Sequence, residues 1–221
     1  MNEFIDMFSS SDPENVATSV KLLLLLTVLS LAPSILILMT SFTRILIVLA
    51  FVRTSLATQQ MPPNQVLIGI ALFLTFFIMS PTFSVVYDEA LEPLFNEEMT
   101  LDEAYERASD PMKDFMAEHT REKDLALFIN YADIDKPETV QDIPLTTLVP
   151  AFAISELKTA FQMGFMIFVP FLVIDMAVAS ILMSMGMLML PPVMISLPFK
   201  ILLFVLVDGW YLITDSILDG F

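Results

Sequence analysis

Apolar residues run through this 221-residue chain in long unbroken blocks, with no sustained two-residue alternation of the kind that half-buried strands show. Residues 20–52 form the first block, 66–86 the second, 161–190 the third and 193–217 the fourth. Wholly helical, the 33 residues of the first block would extend about 50 Å, whereas about 20 residues suffice for a bilayer core of about 30 Å. The surplus implies tilt, a kink at Pro33 or projection beyond the hydrocarbon. The second block has the length of one crossing, with Pro81 near its end. Each half of the chain repeats one plan: a long apolar run, a double proline (Pro62-Pro63, then Pro191-Pro192) and a shorter apolar run. This pattern predicts an all-α membrane protein of two long, kinked helical hairpins, with turns at Pro62, Pro63, Gly186, Pro191 and Pro192.

Between the halves the chain changes character. Residues 88–142 hold 17 of the 26 acidic and five of the ten basic residues, a local excess of 12 negative charges. Thr100-Leu-Asp-Glu103 has the form of a capping box, and Ser109-Asp-Pro111 places a proline suited to a first helical turn. Met112, Phe115, Met116 and His119 then fall on one helical stripe, followed by Leu125, Phe128 and Ile129. The expected organisation is a polar stretch at 1–19, a first hairpin at 20–87, an acidic helical insert at 88–150 and a second hairpin at 151–221. Residues 1–19 carry neither a basic region nor a small-residue cleavage site, so no conventional signal peptide is expected. Arg44 and Arg53 lie on the first tip side, which the positive-inside rule assigns to the cytoplasm, with the acidic insert outside.

Composition narrows the chemistry. Hydrophobic residues make up 56% of the chain and charged ones only 16%, against about 25% charged in a soluble domain. With no cysteine and a single histidine, disulfides, thiolate metal sites and the usual nucleophile–base pairs are excluded. A net charge of −16 argues against nucleic acid, which requires basic surface. No Gly-rich phosphate loop or metal triad occurs, so neither an enzyme nor a cofactor is expected.

Charges inside apolar blocks are costly and are kept for structure or function. The candidates are Arg44, Glu156, Lys158, Asp175, Lys200 and Asp208, together with Arg53 at the end of the first block. One reading is an ion relay with Asp175 as the titrating group; the other is pairing, Asp175 with Lys200 and Glu156 with a basic residue of a neighbouring copy. Small residues at Ala177, Ala179, Ser180, Ser184 and Gly186 permit close helix approach.

Met183, Met185, Met187 and Met189 recur at alternate positions around Gly186, just before Pro191-Pro192. Gly and Pro favour a broken helix here. In an extended loop all four thioethers would share one side, making a soft apolar lining. Ordinary core packing and Cu(I) ligation are alternatives, the latter without any His or Cys to complete a site.

Two long stretches resemble the FliP/SctR family of type III secretion export gates. The first is Pro33-Ser-Ile-Leu-Ile-Leu-Met-Thr-Ser-Phe-Thr-Arg-Ile-Leu-Ile-Val-Leu49 with Arg53-Thr-Ser-Leu-Ala-Thr-Gln-Gln-Met-Pro-Pro-Asn-Gln65. The second comprises Ile154-Ser-Glu-Leu-Lys158, Pro170-Phe-Leu-Val-Ile-Asp175, Met185-Gly-Met-Leu-Met-Leu-Pro-Pro192, Leu197-Pro-Phe-Lys200 and Val207-Asp-Gly-Trp210. The resemblance implies a non-enzymatic channel subunit in the bacterial cytoplasmic membrane at the flagellar basal body. It further implies a helical ring of five copies joined by FliR and FliQ, with FlhB and FlhA as further partners and unfolded export substrates as cargo. It casts Met185, Met187 and Met189, with Met183 adjacent, as a gasket, and Glu156 as part of a motif used in subunit contacts. Leu188 stands where many relatives have Met. The wording of the first stretch favours a flagellar over a virulence system; an ion or copper transporter is the alternative of a different class.

Overall fold

The computed structural model describes residues 26–27, 30–58, 60–96, 98–134, 137–187 and 189–221. The polar stretch 1–19, with the expectation about a signal peptide, lies outside them. The chain divides into two units, Met1–Ile37 and Leu38–Phe221. Helix α1 (Ser30–Met39) passes through Pro33 without ending there, and the helix stops instead at Thr40-Ser41, before α2 (Phe42–Ser55). The apolar block 20–52 is therefore not one kinked helix.

Within α2, Ile45, Val48, Leu49 and Val52 follow the i, i+3, i+4, i+7 spacing of one helical face and are at most 1% exposed. That face packs on α7 (Leu145–Ser184). At about 1.5–3 kcal/mol for each fully buried aliphatic side chain, this stripe makes α2–α7 the principal seam of the fold. It is unusually close at one point, where a Cβ on Gly164 would lie 2.4 Å from the Phe51 ring. Phe161 meets the same ring edge-on at 5.5 Å between centroids.

Helix α3 (Asn64–Val86) runs on through a π turn (Tyr87–Leu91) into the short α4 (Glu92–Phe95), giving 32 continuous residues. Pro81 sits inside α3. The 40 residues of α7 give about 60 Å of helix. This helix begins before Pro150 and absorbs Glu156 and Lys158, which the sequence placed ahead of the third apolar block. Both α3–α4 and α7 are long and apolar enough to cross a membrane, and up to four spans result if each bent helix pair counts as one. The fourth apolar block is such a pair. Helices α8 (Pro192–Leu206) and α9 (Gly209–Leu218) are bent by 63° about Val207-Asp208, where Asp208 takes a left-handed conformation (φ 52°). Gly209 is required at this break, since a Cβ there would lie 2.4 Å from the Phe204 ring. No strand occurs among the described residues, and the protein is all-helical.

The acidic segment folds as α5 (Leu101–Glu118) and α6 (Glu122–Tyr131). The Thr100 backbone amide donates to Glu103 Oε2 at 2.9 Å, and Thr100 Oγ1 accepts from the Glu103 amide, closing a capping box. Because this cap starts the helix ten residues before Asp110-Pro111, Pro111 lies inside α5 rather than in a first turn. The loss of one backbone hydrogen bond is outweighed by the next turns, where Met112 and Met116 pack with Met79 of α3 and Leu148 and Phe152 of α7. Helix α6 is fastened to α7 by polar groups. The Arg121 amide donates to Ser155 Oγ at 3.1 Å, Ser155 Oγ donates to Asp124 Oδ2 at 2.7 Å, and the Arg121 guanidinium pairs with Asp124.

Burial raises the cost of the Asp124 carboxylate, but hydrogen bonds from Ser155 and Arg121 outweigh it and hold its pKa below the ordinary value. A depressed carboxylate pKa stabilises docking above the unfolded value, near 4, and that stabilisation is lost as pH falls through the folded value. Acidification below about pH 4 should accordingly release α6 from α7, read as amide exchange in 122–131. Ser155→Ala should weaken protection at neutral pH by about 1 kcal/mol and flatten the acid-induced loss. An acid profile identical to the parent chain would contradict this assignment.

Candidate functional site

The functional candidates gather at one buried ion pair, one half-buried ion pair and one exposed loop. At the first, Arg44 on α2 is 3% exposed and Glu156 on α7 is 1% exposed. Arg44 Nε donates to Glu156 Oε2 at 2.8 Å and Nη2 donates to Oε1, a bidentate fork. The remaining guanidinium nitrogen, Nη1, donates to the Gly220 carbonyl at 2.6 Å, and Arg44 Cζ lies 3.8 Å from the centroid of the Phe221 ring. Phe221 in turn stacks on Phe115 and meets His119, whose Nδ1 lies 2.8 Å from the Phe115 carbonyl oxygen. Within the chain, Glu156 is paired with Arg44 of α2. The two residues are 112 apart in sequence, which is why neither apolar block alone discloses the pair.

At the second, Lys200 of α8 is 2% exposed and its Nζ donates to Asp175 Oδ2 of α7 at 2.6 Å and to the Ser55 carbonyl at the end of α2 at 3.1 Å. Ser196, one helical turn before Lys200 and fully buried, donates its hydroxyl to the other oxygen, Asp175 Oδ1. Lys200 and the half-buried Asp175, joined through hydrogen bonds to Ser196 and to the Ser55 carbonyl, form a structural node.

The loop follows α7. Met183 lies in its last turn and Met185 caps it. Gly186 adopts φ +74°, the Gly186 amide donates to the Met183 carbonyl, and the Met187 amide donates to Leu182. This is a Schellman ending, and it needs a residue that takes the left-handed conformation without strain. Pro192 then opens α8 at its first position, where the missing amide costs nothing. Met183, Met185, Met187 and Met189 are 62%, 66%, 40% and 98% exposed, so none is core packing within the chain. Leu188 lies outside the described residues.

The remaining charges lie elsewhere. Arg53 is half-buried and binds Asn64 Oδ1 and the Pro62 carbonyl, which pins the first double-proline turn. Lys158 and Asp208 are exposed on the monomer and share neither node. Ser55, Ser155, Ser196, Gly164 and Gly220 carry geometry that the sequence reading missed. Only Ser196 left a signal, its i, i+4 spacing to the buried Lys200.

An all-helical chain with helices able to cross a membrane, its apolar halves riveted by ion pairs, is the class of protein that these features define. The model of the FliP family matches residues 25–217. A flagellar biosynthetic protein FliP of Bacillus subtilis is 76% identical over 221 residues, covering the whole of both chains. The Caulobacter vibrioides protein of the same name is 55% identical over 202 residues, 91% of this chain and 76% of that one. The Aquifex aeolicus one is 50% identical over 209 residues, 94% and 87% respectively. The chain belongs to the FliP family, as the resemblance indicated.

Removing one partner of a buried pair strands the other charge. Arg44→Met should therefore destabilise the detergent-extracted protein by about 3–5 kcal/mol, and Arg44→Met with Glu156→Leu should recover most of that loss. Thermal unfolding followed by helical signal checks both; a single variant as stable as the parent would contradict the pairing.

Proposed function

We propose that this chain is a core channel-forming subunit of the flagellar type III protein export gate, conducting unfolded proteins across the bacterial cytoplasmic membrane at the flagellar basal body. The observation that carries this reading is the Met183–Met189 turn, whose thioethers stand out from the chain at the tip of the α7–α8 hairpin. Several copies around a common axis bring these tips together, and the large exposed side chains of α3, α7 and α8, such as Phe73, Phe165, Val173 and Leu202, become contacts with lipid or other subunits. The ring contains five copies, joined by FliR and FliQ, with FlhB and FlhA nearby. The segment 88–150 lies on the extracytoplasmic side, and both double-proline turns on the other.

The chemistry of the tip suits a gasket. A narrow apolar constriction excludes water and ions by dewetting. Met is unbranched and polarizable, so it repacks around a passing polypeptide of any sequence at small cost. Charged side chains in the same place would hold ions and select among substrates. The subunit needs no catalytic group or cofactor for this, because it shapes a path and does not drive transport. The names of the relatives, all flagellar biosynthetic proteins, support the flagellar assignment.

Replacing Met185, Met187 and Met189 together by Ala should leave the ring assembled while raising the ion permeability of cells at least severalfold, measured as dissipation of a potassium gradient. An assembled triple variant with parental permeability removes the sealing role.

A further inference from the structure

Resting on the gasket reading, we propose that Lys200 is a positioning residue for the Met loop. It fixes the loop-bearing hairpin to the end of α2, so that the two double-proline turns move as one body. The argument begins with distances along the helices. Asp175 lies nine residues before the end of α7 at Ser184, and Lys200 lies eight residues after the start of α8 at Pro192. At about 1.5 Å per residue, the ion pair joins the two legs at nearly equal depth, about 12–14 Å from the tip. Beyond that node the rest of the chain does little to hold the hairpin. Met176, Ile181, Met183, Val193 and Met194 are all exposed, and of the described residues above the node only Leu182 and Ser196 are buried. The direction in which the loop points is accordingly set at the node.

The third partner extends the node beyond the hairpin. A helix end leaves its last carbonyls without intrahelical donors, and Lys200 supplies one to the Ser55 carbonyl in a buried setting. Two residues before Ser55, Arg53 reaches forward to Asn64 and Pro62, so the first turn is anchored to the same end of α2. A single ammonium group thereby links one turn, through α2, to the other turn, through α7 and α8. Any partner or substrate that shifts the first turn shifts the Met loop with it.

The chain has no native cysteine, so Thr54→Cys and Val193→Cys introduce the only thiols. Both positions are exposed and stand on either side of the node. In the full-length protein extracted from membranes, labelled copies diluted among unlabelled ones give the 54–193 distance distribution by electron spin resonance. The parent should give one narrow distribution. Asp175→Leu with Lys200→Met removes both charges without stranding either, and should at least double the width. Asp175→Lys with Lys200→Asp restores a pair between the legs but turns a carboxylate towards the Ser55 carbonyl; the width should remain large. Ser196→Ala, which strands no charge, should broaden it less. A distribution as narrow as the parent's in the charge-removed variant, or in the exchanged one, overturns the proposal. Normal sealing by the Met185, Met187 and Met189 triple variant would remove the gasket reading, while the distances still decide whether Lys200 fixes the hairpin.

Discussion

A charge within an apolar helix must meet its opposite before the helix can settle among others, and this constraint organises the chain. Arg44–Glu156 joins the first half to the second across 112 residues of sequence. Lys200–Asp175 closes the second hairpin and reaches back to the first. Hydrophobic burial alone would allow α2 to slide or rotate on α7, because aliphatic contacts are non-directional. Bidentate and multiply hydrogen-bonded pairs do not tolerate a shift of one residue. The aliphatic stripe of α2 supplies cohesion, and the ion pairs supply register.

That rigidity stands against a loop with few contacts of its own. The Met turn is defined by backbone rules: a Schellman ending at Gly186 and a proline start at Pro192. Its side chains are free to repack. The proposed seal, which must admit a polypeptide and still exclude ions, needs such a division, with compliant side chains on a support that holds its place. The acidic segment is a further body fixed to the same frame, through Met112 and Met116 in an apolar contact and through Asp124 and Ser155 in a polar one.

What the sequence disclosed followed from block length and from local capping chemistry. The runs that became α3 and α7 are long and apolar enough to read directly, and Thr100 with Glu103 marked the start of α5. Four boundaries escaped, the first being the start of α7 at Leu145, well ahead of the third apolar block, because Pro150, Glu156 and Lys158 read as a polar flank. Thr40-Ser41 interrupts an apolar block with residues that helices also accept, so hydropathy averages over it. Pro111 resembles a helix start, yet the stronger cap at Thr100 and the burial of Met112 and Met116 carry the helix through. Asp208-Gly209 is a turn dipeptide hidden inside an apolar run, and its left-handed residue divides α8 from α9. Among the charged candidates, the Lys200–Asp175 contact joins two residues of one hairpin, a short-range relation that spacing suggests. Arg44–Glu156 depends on how distant blocks pack, and the Gly220 carbonyl and Phe221 ring that complete it have no sequence signature.

The central claim is that the Met turns of several copies face one another around a shared axis. A single cysteine at Met189, in a chain that has none of its own, tests this in native membranes by oxidative cross-linking between copies. The account predicts efficient disulfide-linked dimers at position 189 and far fewer from a cysteine at Tyr131, which is exposed at the end of α6. Equal or absent cross-linking at position 189, with the assembly intact, would contradict it.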